Sequence, residues 1–261
     1  MYNKILEYLL DIKNVGFFHL YTSNMIYKLT SLGLPILLAF FLGPFELGKI
    51  KIIQTYISVG VIIAGLGLDA AILKFCSEKI EISKKHNLFS YAFFRSLITS
   101  VIASLVILSI ITIFNIPNDS VTAFYLKIAL VAIPIMVISK NLRAYLQSQK
   151  EFKRIASIEI SSSLISVGIL ILLIYIFGIA GYVSGLIGVS IIYTIFLFYH
   201  VPLPSIKKSM QKIDKSKTFL SFSIHSYLAN SVAILILSTD IIMLNIKNVP
   251  FEAIGYYGLA Q

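Results

Sequence analysis

Seven long apolar blocks dominate the sequence. They cover residues 19–42, 52–73, 88–114, 122–142, 156–178, 181–200 and 219–245. Crossing about 30 Å of hydrocarbon takes about 20 apolar residues in a helix, and each block is about long enough. Transmembrane β-strands are excluded, because they read as ten-residue alternations rather than unbroken runs. Inside a bilayer every backbone N–H and C=O must find an internal partner, and a helix supplies one for each. The expected fold is all-α: a polytopic transmembrane helix bundle of about seven spans plus the start of an eighth.

Composition removes the other classes. Hydrophobic residues make up 57% and charged residues 13%, with a mean hydropathy of +0.88. A soluble domain carries about 25% charged residues, so neither a soluble enzyme nor a disordered chain fits. The net charge of +10 does not indicate nucleic acid. The cations sit in the short gaps between apolar blocks, where they set membrane orientation, instead of along one arm or face. Of the 22 Lys and Arg, 17 fall in one alternate set of gaps and four in the other, with Lys28 inside a span. That bias places the N-terminus in the cytoplasm.

The segments divide accordingly. Residues 1–18 form a cytoplasmic amphipathic segment that carries Lys4, Glu7, Asp11 and Lys13 among leucines and isoleucines. It lacks the apolar stretch and small-residue cleavage site of a signal peptide. Residues 19–200 make a six-helix N-terminal lobe, 201–218 a basic cytoplasmic linker, and 219–261 the first helix and the start of the second helix of a C-terminal lobe. The outward gaps, Gly43–Lys51, Asn115–Val121, Gly178–Gly181 and Lys247–Gly255, are all short. None can hold a soluble catalytic domain, which takes about 50 residues.

Polar side chains within the spans are costly and need a reason. Tyr21, Asn24, Lys28, Ser31 and Pro35 follow steps of three and four and share one helix face. Lys28 lies nine residues beyond His19, about 13 Å into the membrane. This stripe either borders an aqueous cavity or pairs Lys28 with a neighbouring helix. A second stripe, Ser223, Ser226, Asn230, Ala233, Leu237 and Asp240, either faces the same cavity or packs helices through small polar residues. Gln54, Ser58, Gly65 and Asp69 lie on one side of the second span. Asp69 either pairs with Lys74 or serves as a proton or ion site. Glu159 pairs with Arg154 or Lys153, or acts as an ion site, and Arg143 anchors the helix edge or binds ligand.

The histidines His19, His86, His200 and His225 show no metal-ligand spacing, and Cys76 is the single cysteine. No phosphate-binding GxxxxGK[ST] loop is present. No cofactor and no metal are expected.

Four stretches carry a family resemblance: Leu42-Gly43-Pro44-Phe45-Glu46-Leu47-Gly48, Gly65-Leu66-Gly67-Leu68-Asp69-Ala70-Ala71, Asn141-Leu142-Arg143-Ala144-Tyr145-Leu146-Gln147, and Thr239-Asp240-Ile241-Ile242 followed by Ile254-Gly255-Tyr256-Tyr257. The chain resembles the N-terminal portion of a polysaccharide (O-antigen) flippase of the multidrug/oligosaccharidyl-lipid/polysaccharide exporter superfamily. The resemblance implies two six-helix lobes around a central cavity, of which this sequence holds the first and only begins the second. It implies that a lipid-linked oligosaccharide on polyprenyl pyrophosphate is flipped across the bacterial inner membrane by alternating access, without enzymatic turnover. In that setting Lys28 and Arg143 offset the pyrophosphate, Asn24, Ser31, Ser58 and Asn230 contact sugar hydroxyls, and Asp69, Asp240 or Glu159 couples an ion. Partners would be membrane lipids, a polysaccharide polymerase and chain-length proteins, with no nucleic acid. The alternatives are a multidrug or cation antiporter of the same superfamily and a non-transporting component of a polysaccharide assembly complex.

Overall fold

The structure, a computed structural model, describes the helical path of residues 17–206 and 216–260 and the side chains of residues 38–206 and 217–260. All its regular elements are helices. The first rod, Phe17–Gly65, breaks at Gly43 (φ 74°, ψ 169°) into α1 (17–42) and α2 (44–65). Then come α3 (Leu68–Ser77), α4 (Ile82–Phe114), α5 (Ser120–Ala129) and α6 (Ala132–Ser148). A second rod, Phe152–His200, breaks at Gly178 (φ 57°, ψ −130°) into α7 (152–177) and α8 (179–200). The chain continues as α9 (Ser216–Ile246) and α10 (Phe251–Ala260). The amphipathic segment expected over residues 1–18 lies almost wholly outside the described residues.

Each 49-residue rod would be about 73 Å long if straight, more than twice the hydrocarbon thickness. The second rod doubles back at Gly178. Gly181 packs on the Leu173 backbone, and a Cβ on Gly185 would lie 2.7 Å from the Leu170 side chain. Both glycine breaks use positive φ, which residues with a Cβ adopt at a cost.

Helix boundaries depart from the apolar blocks for local reasons. Pro44 follows the Gly43 break and starts α2 directly. Proline suits a first helical position, where its missing N–H would have no partner anyway. Lys49 and Lys51 therefore lie in helix instead of in a loop. Pro134 cannot donate to the Leu130 carbonyl, and the break between α5 and α6 falls at that point. Asp119 caps α5 by accepting the Thr122 amide at 2.8 Å.

Two apolar layers stack along the bundle. One gathers α2 with the end of α4, α5, the start of α6 and the α7–α8 reversal, around Leu47, Ile50, Ile57, Leu126, Ile133 and Tyr182. The other gathers α3, the start of α4, the end of α6, the start of α7, the end of α8 and Phe219 of α9. The first layer marks the Gly43 end of the bundle and the second the Lys74 end. Lipid is as apolar as these cores, so what holds the helices is close packing and interhelical polar contact. Asn141, 1% exposed, donates to the Ser96 hydroxyl between α6 and α4. Thr99 of α4 donates to the Ala64 carbonyl of α2 at 3.0 Å.

Candidate functional site

Between Gly65 and Leu68 the chain leaves the helix, with Leu66 at φ 48° and Gly67 at φ 67°. This break lets α9 approach the backbone. A Cβ on Gly67 would overlap the Ser223 carbonyl and lie 2.8 Å from the Tyr227 amide nitrogen. The Ser223 hydroxyl donates to the Leu66 carbonyl, one of the acceptors that the break exposes. Towards the Gly43 end, α10 crosses α2 just as closely: Gly255 meets the Pro44 carbonyl, and Gly48 meets the Phe251 carbonyl. Asn245 of α9 donates to the Tyr56 hydroxyl of α2 at 3.2 Å.

Between these two crossings lies a cavity of about 210 Å³, walled by α2, α3, α6 and α9. Val61, Ile62, Val137 and Ile234 give it apolar sides. Its polar groups are Asp69, Lys140, Asn141, Tyr227 and Asn230. The ion pairs among the described residues are Lys49–Asp119, Lys84–Glu81, Arg143–Glu159 and Arg154–Glu151. Neither Asp69 nor Lys140 takes part in one. The wall thus presents a carboxylate, an ammonium, two carboxamides and a phenol, a set that can bind phosphate and hydroxyl groups together but lacks a nucleophile–base pair. Among the described residues no group of three or more His, Cys, Asp or Glu is placed to hold a metal.

The structure brings together only part of the residue set expected from sequence. Asp69 and Asn230 line the cavity. The Asp69–Lys74 pair is absent, because the Lys74 ammonium sits 3.9 Å from the centre of the Phe222 ring. Arg143 and Glu159 do not line the cavity and hold each other, Nε to Oε1 at 2.6 Å, tying α6 to α7. Arg143 also donates to Gln147 at 3.2 Å. Glu159 therefore pairs with Arg143 rather than with Arg154 or Lys153, and Arg154 pairs with Glu151 at 3.6 Å. The reach from α7 back to α6 is shorter than the apolar blocks suggest, since α6 continues to Ser148. Ser58 is exposed and not part of the cavity wall. Asp240 accepts the Tyr257 hydroxyl near the Gly43 end, away from the cavity. Asn24, Lys28 and Ser31 lie on α1 in a stretch whose side chains are outside the described residues.

Sequence reasoning missed Lys140. Lys140 lies two residues before the end of the fourth apolar block, 122–142, where a cation reads as belonging to the following gap. The apolar pattern in fact continues through Ala144, Tyr145 and Leu146, all buried, and that continuation is the signal that Lys140 lies inside a packed helix.

Outside the spans, the Asp119 carboxyl has a lowered pKa. Burial opposes its ionisation, but hydrogen bonds from the Thr122 hydroxyl and amide, together with the Lys49 charge 3.6 Å away, outweigh it.

Residues 14–261 match the profile of a family described as "Polysaccharide biosynthesis protein". No curated protein matches the sequence. Among solved structures, an outward-facing multidrug resistance MATE family transporter of the MOP superfamily superposes with a TM-score of 0.69 at 16% identity, over 87% of this chain and 53% of that one. A MOP superfamily transporter from Pyrococcus furiosus, described as having a binding pocket of reverse polarity, gives 0.67 at 16% identity, over 91% and 61%. A MATE protein in complex with Br-NRF gives 0.66 at 19% identity, over 87% and 55%. The chain thus spans between about half and three-fifths of the length of these structures, and shares their fold.

Proposed function

The chain belongs to the polysaccharide biosynthesis protein family, and we propose that the protein flips a lipid-linked oligosaccharide across the bacterial inner membrane by alternating access. One observation carries this reading: the cavity between α2–α3, α6 and α9, with Lys140 and Asp69 on its wall and outside every ion pair among the described residues. A sugar head group and its pyrophosphate cannot enter hydrocarbon, where each unpaired polar group costs several kcal/mol. The cavity, of about 210 Å³, offers part of that head group polar partners in place of water. Lys140, with Lys28 from α1, offsets the phosphate charge, while Asn24, Ser31 and Asn230 meet sugar hydroxyls. Asp69 is the candidate for ion coupling. Ser58, Arg143, Glu159 and Asp240 lie outside the lining of this cavity, and the reading leaves them out.

The 17-to-4 distribution of cations supports a cytoplasmic N-terminus, so the Lys74 end faces the cytoplasm. The lobe division at 201–218 assigns α9 and α10 to the second lobe. The polyprenyl tail stays in lipid throughout, and a polymerase and chain-length proteins would use the delivered unit.

The test is Lys140→Gln in the intact protein, with Lys140→Arg as control. The expected result is loss of surface polysaccharide at normal expression with Gln, and retention with Arg. Normal surface polysaccharide with Gln would remove Lys140 from the mechanism. Asp69 on the same wall favours a second reading, a cation antiporter. Asp69-dependent export of an organic cation from proteoliposomes, with no effect on polysaccharide, would select it.

A further inference from the structure

The same pair of helices, α2 and α3, grips the α9–α10 segment at both ends of the cavity, and the two grips have the same chemistry. At the Gly43 end the Lys49 ammonium lies 4.5 Å from the centre of the Phe45 ring and 5.4 Å from that of Phe251. At the other end the Lys74 ammonium lies 3.9 Å from the centre of the Phe222 ring and 5.5 Å from that of Phe75. In each case one ring belongs to the lysine's own helix and the other reaches across from α9 or α10. Each pair of rings is also in edge contact, Phe45–Phe251 at 5.4 Å and Phe75–Phe222 at 5.9 Å. Each grip adjoins a glycine where two backbones touch, Gly48 on Phe251 and Gly67 on Ser223.

We propose that Lys49–Phe251 and Lys74–Phe222 are two latches, one at each end of the cavity, and that their alternate release determines which end opens. The inference rests on the transport reading above and adds to it the residues that set the balance between the two open states. Both latches are closed in this structure, so the cavity wall is joined at both ends. Parting of one latch gives a ligand held between them an exit at that end of the bundle. An ammonium over a ring suits a contact that must break and re-form, because its attraction is modest in water and grows when desolvated. The two latches are unequal. Lys49 is 7% exposed and also paired with Asp119 at 3.6 Å, whereas Lys74 is exposed. The Lys74 latch is therefore the weaker one, and the resting protein opens at the Lys74 end, the end that loads from the cytoplasm in the orientation proposed.

The experiment measures spin-label distances in the full-length protein in proteoliposomes, with buried Cys76 replaced by alanine. One label pair at Ser120 and Lys247 reports the Gly43 end, and a second at Lys79 and Thr218 reports the Lys74 end; all four residues are exposed. Lys49→Met should raise the open population at the first pair by about 3- to 30-fold without opening the second. Lys74→Met should open the second pair by about 2- to 5-fold and leave the first closed. Phe251→Leu and Phe222→Leu keep apolar packing and should reproduce these shifts, and Lys49→Arg should restore the closed distribution. The latches are overturned if the leucine variants move neither pair, or if all variants shift both ends in the same sense. A wild-type protein locked in one distribution at both ends would bring down the transport reading as well.

Discussion

Replacing Gly67 by alanine should damage the protein far more than the same change two residues earlier. Gly67 sits at φ 67°, where a residue with a Cβ pays about 1–2 kcal/mol. Its added methyl would also meet backbone only, overlapping the Ser223 carbonyl and lying 2.8 Å from the Tyr227 nitrogen. No flexible side chain can swing aside, so α9 must shift, with an overpacking cost of about 1–3 kcal/mol. The Ser223–Leu66 hydrogen bond is lost with that shift. Together these give about 2–5 kcal/mol, a fall in Tm of about 10 °C for a chain of this size. At Gly65 an added Cβ meets nothing within 4 Å, and alanine there should be neutral or stabilise by up to about 1 kcal/mol. Thermal unfolding of both variants in detergent tests the contrast. Equal melting temperatures for the two would refute the claim that backbone contact at Gly67 positions α9.

Two further outcomes are expected. Glu159→Gln should destabilise by about 1–3 kcal/mol because it leaves the half-buried Arg143 without its countercharge. The combination with Arg143→Gln should recover part of that loss in a double-mutant cycle read by thermal unfolding. Asp119→Asn should lower stability at neutral pH. Because the folded carboxyl titrates below its unfolded value, its contribution is fully present above about pH 4 and fades as pH falls through the folded pKa. The stability gap between wild type and Asp119→Asn, followed from pH 7 to pH 3, should therefore close on acidification.

The helical architecture was legible because block length and the bilayer leave no alternative to helices. The cavity was half legible. Asn230 and Asp69 stood out as polar groups at helical spacing in apolar surroundings, which is a local property of the chain. Whether Arg143 faces a ligand or a carboxylate depends on how α7 lies against α6, and no local pattern carries that. Lys49 shows the same limit. A lysine four residues after Phe45 reads as a loop cation until Pro44 is recognised as the first residue of a helix, and even then Phe251 and Asp119 reach it from distant segments. Gly67 was visible as one glycine in a Gly-Leu-Gly stretch, but its φ and its contact with α9 belong to the packed bundle.

The single-residue turn at Gly178 has a mechanical consequence. A turn that short has no slack, since one residue spans at most about 3.6 Å, and Gly181 and Gly185 fasten the two arms just beyond it. The two arms of the α7–α8 hairpin are therefore coupled, and a displacement of one carries the other with it.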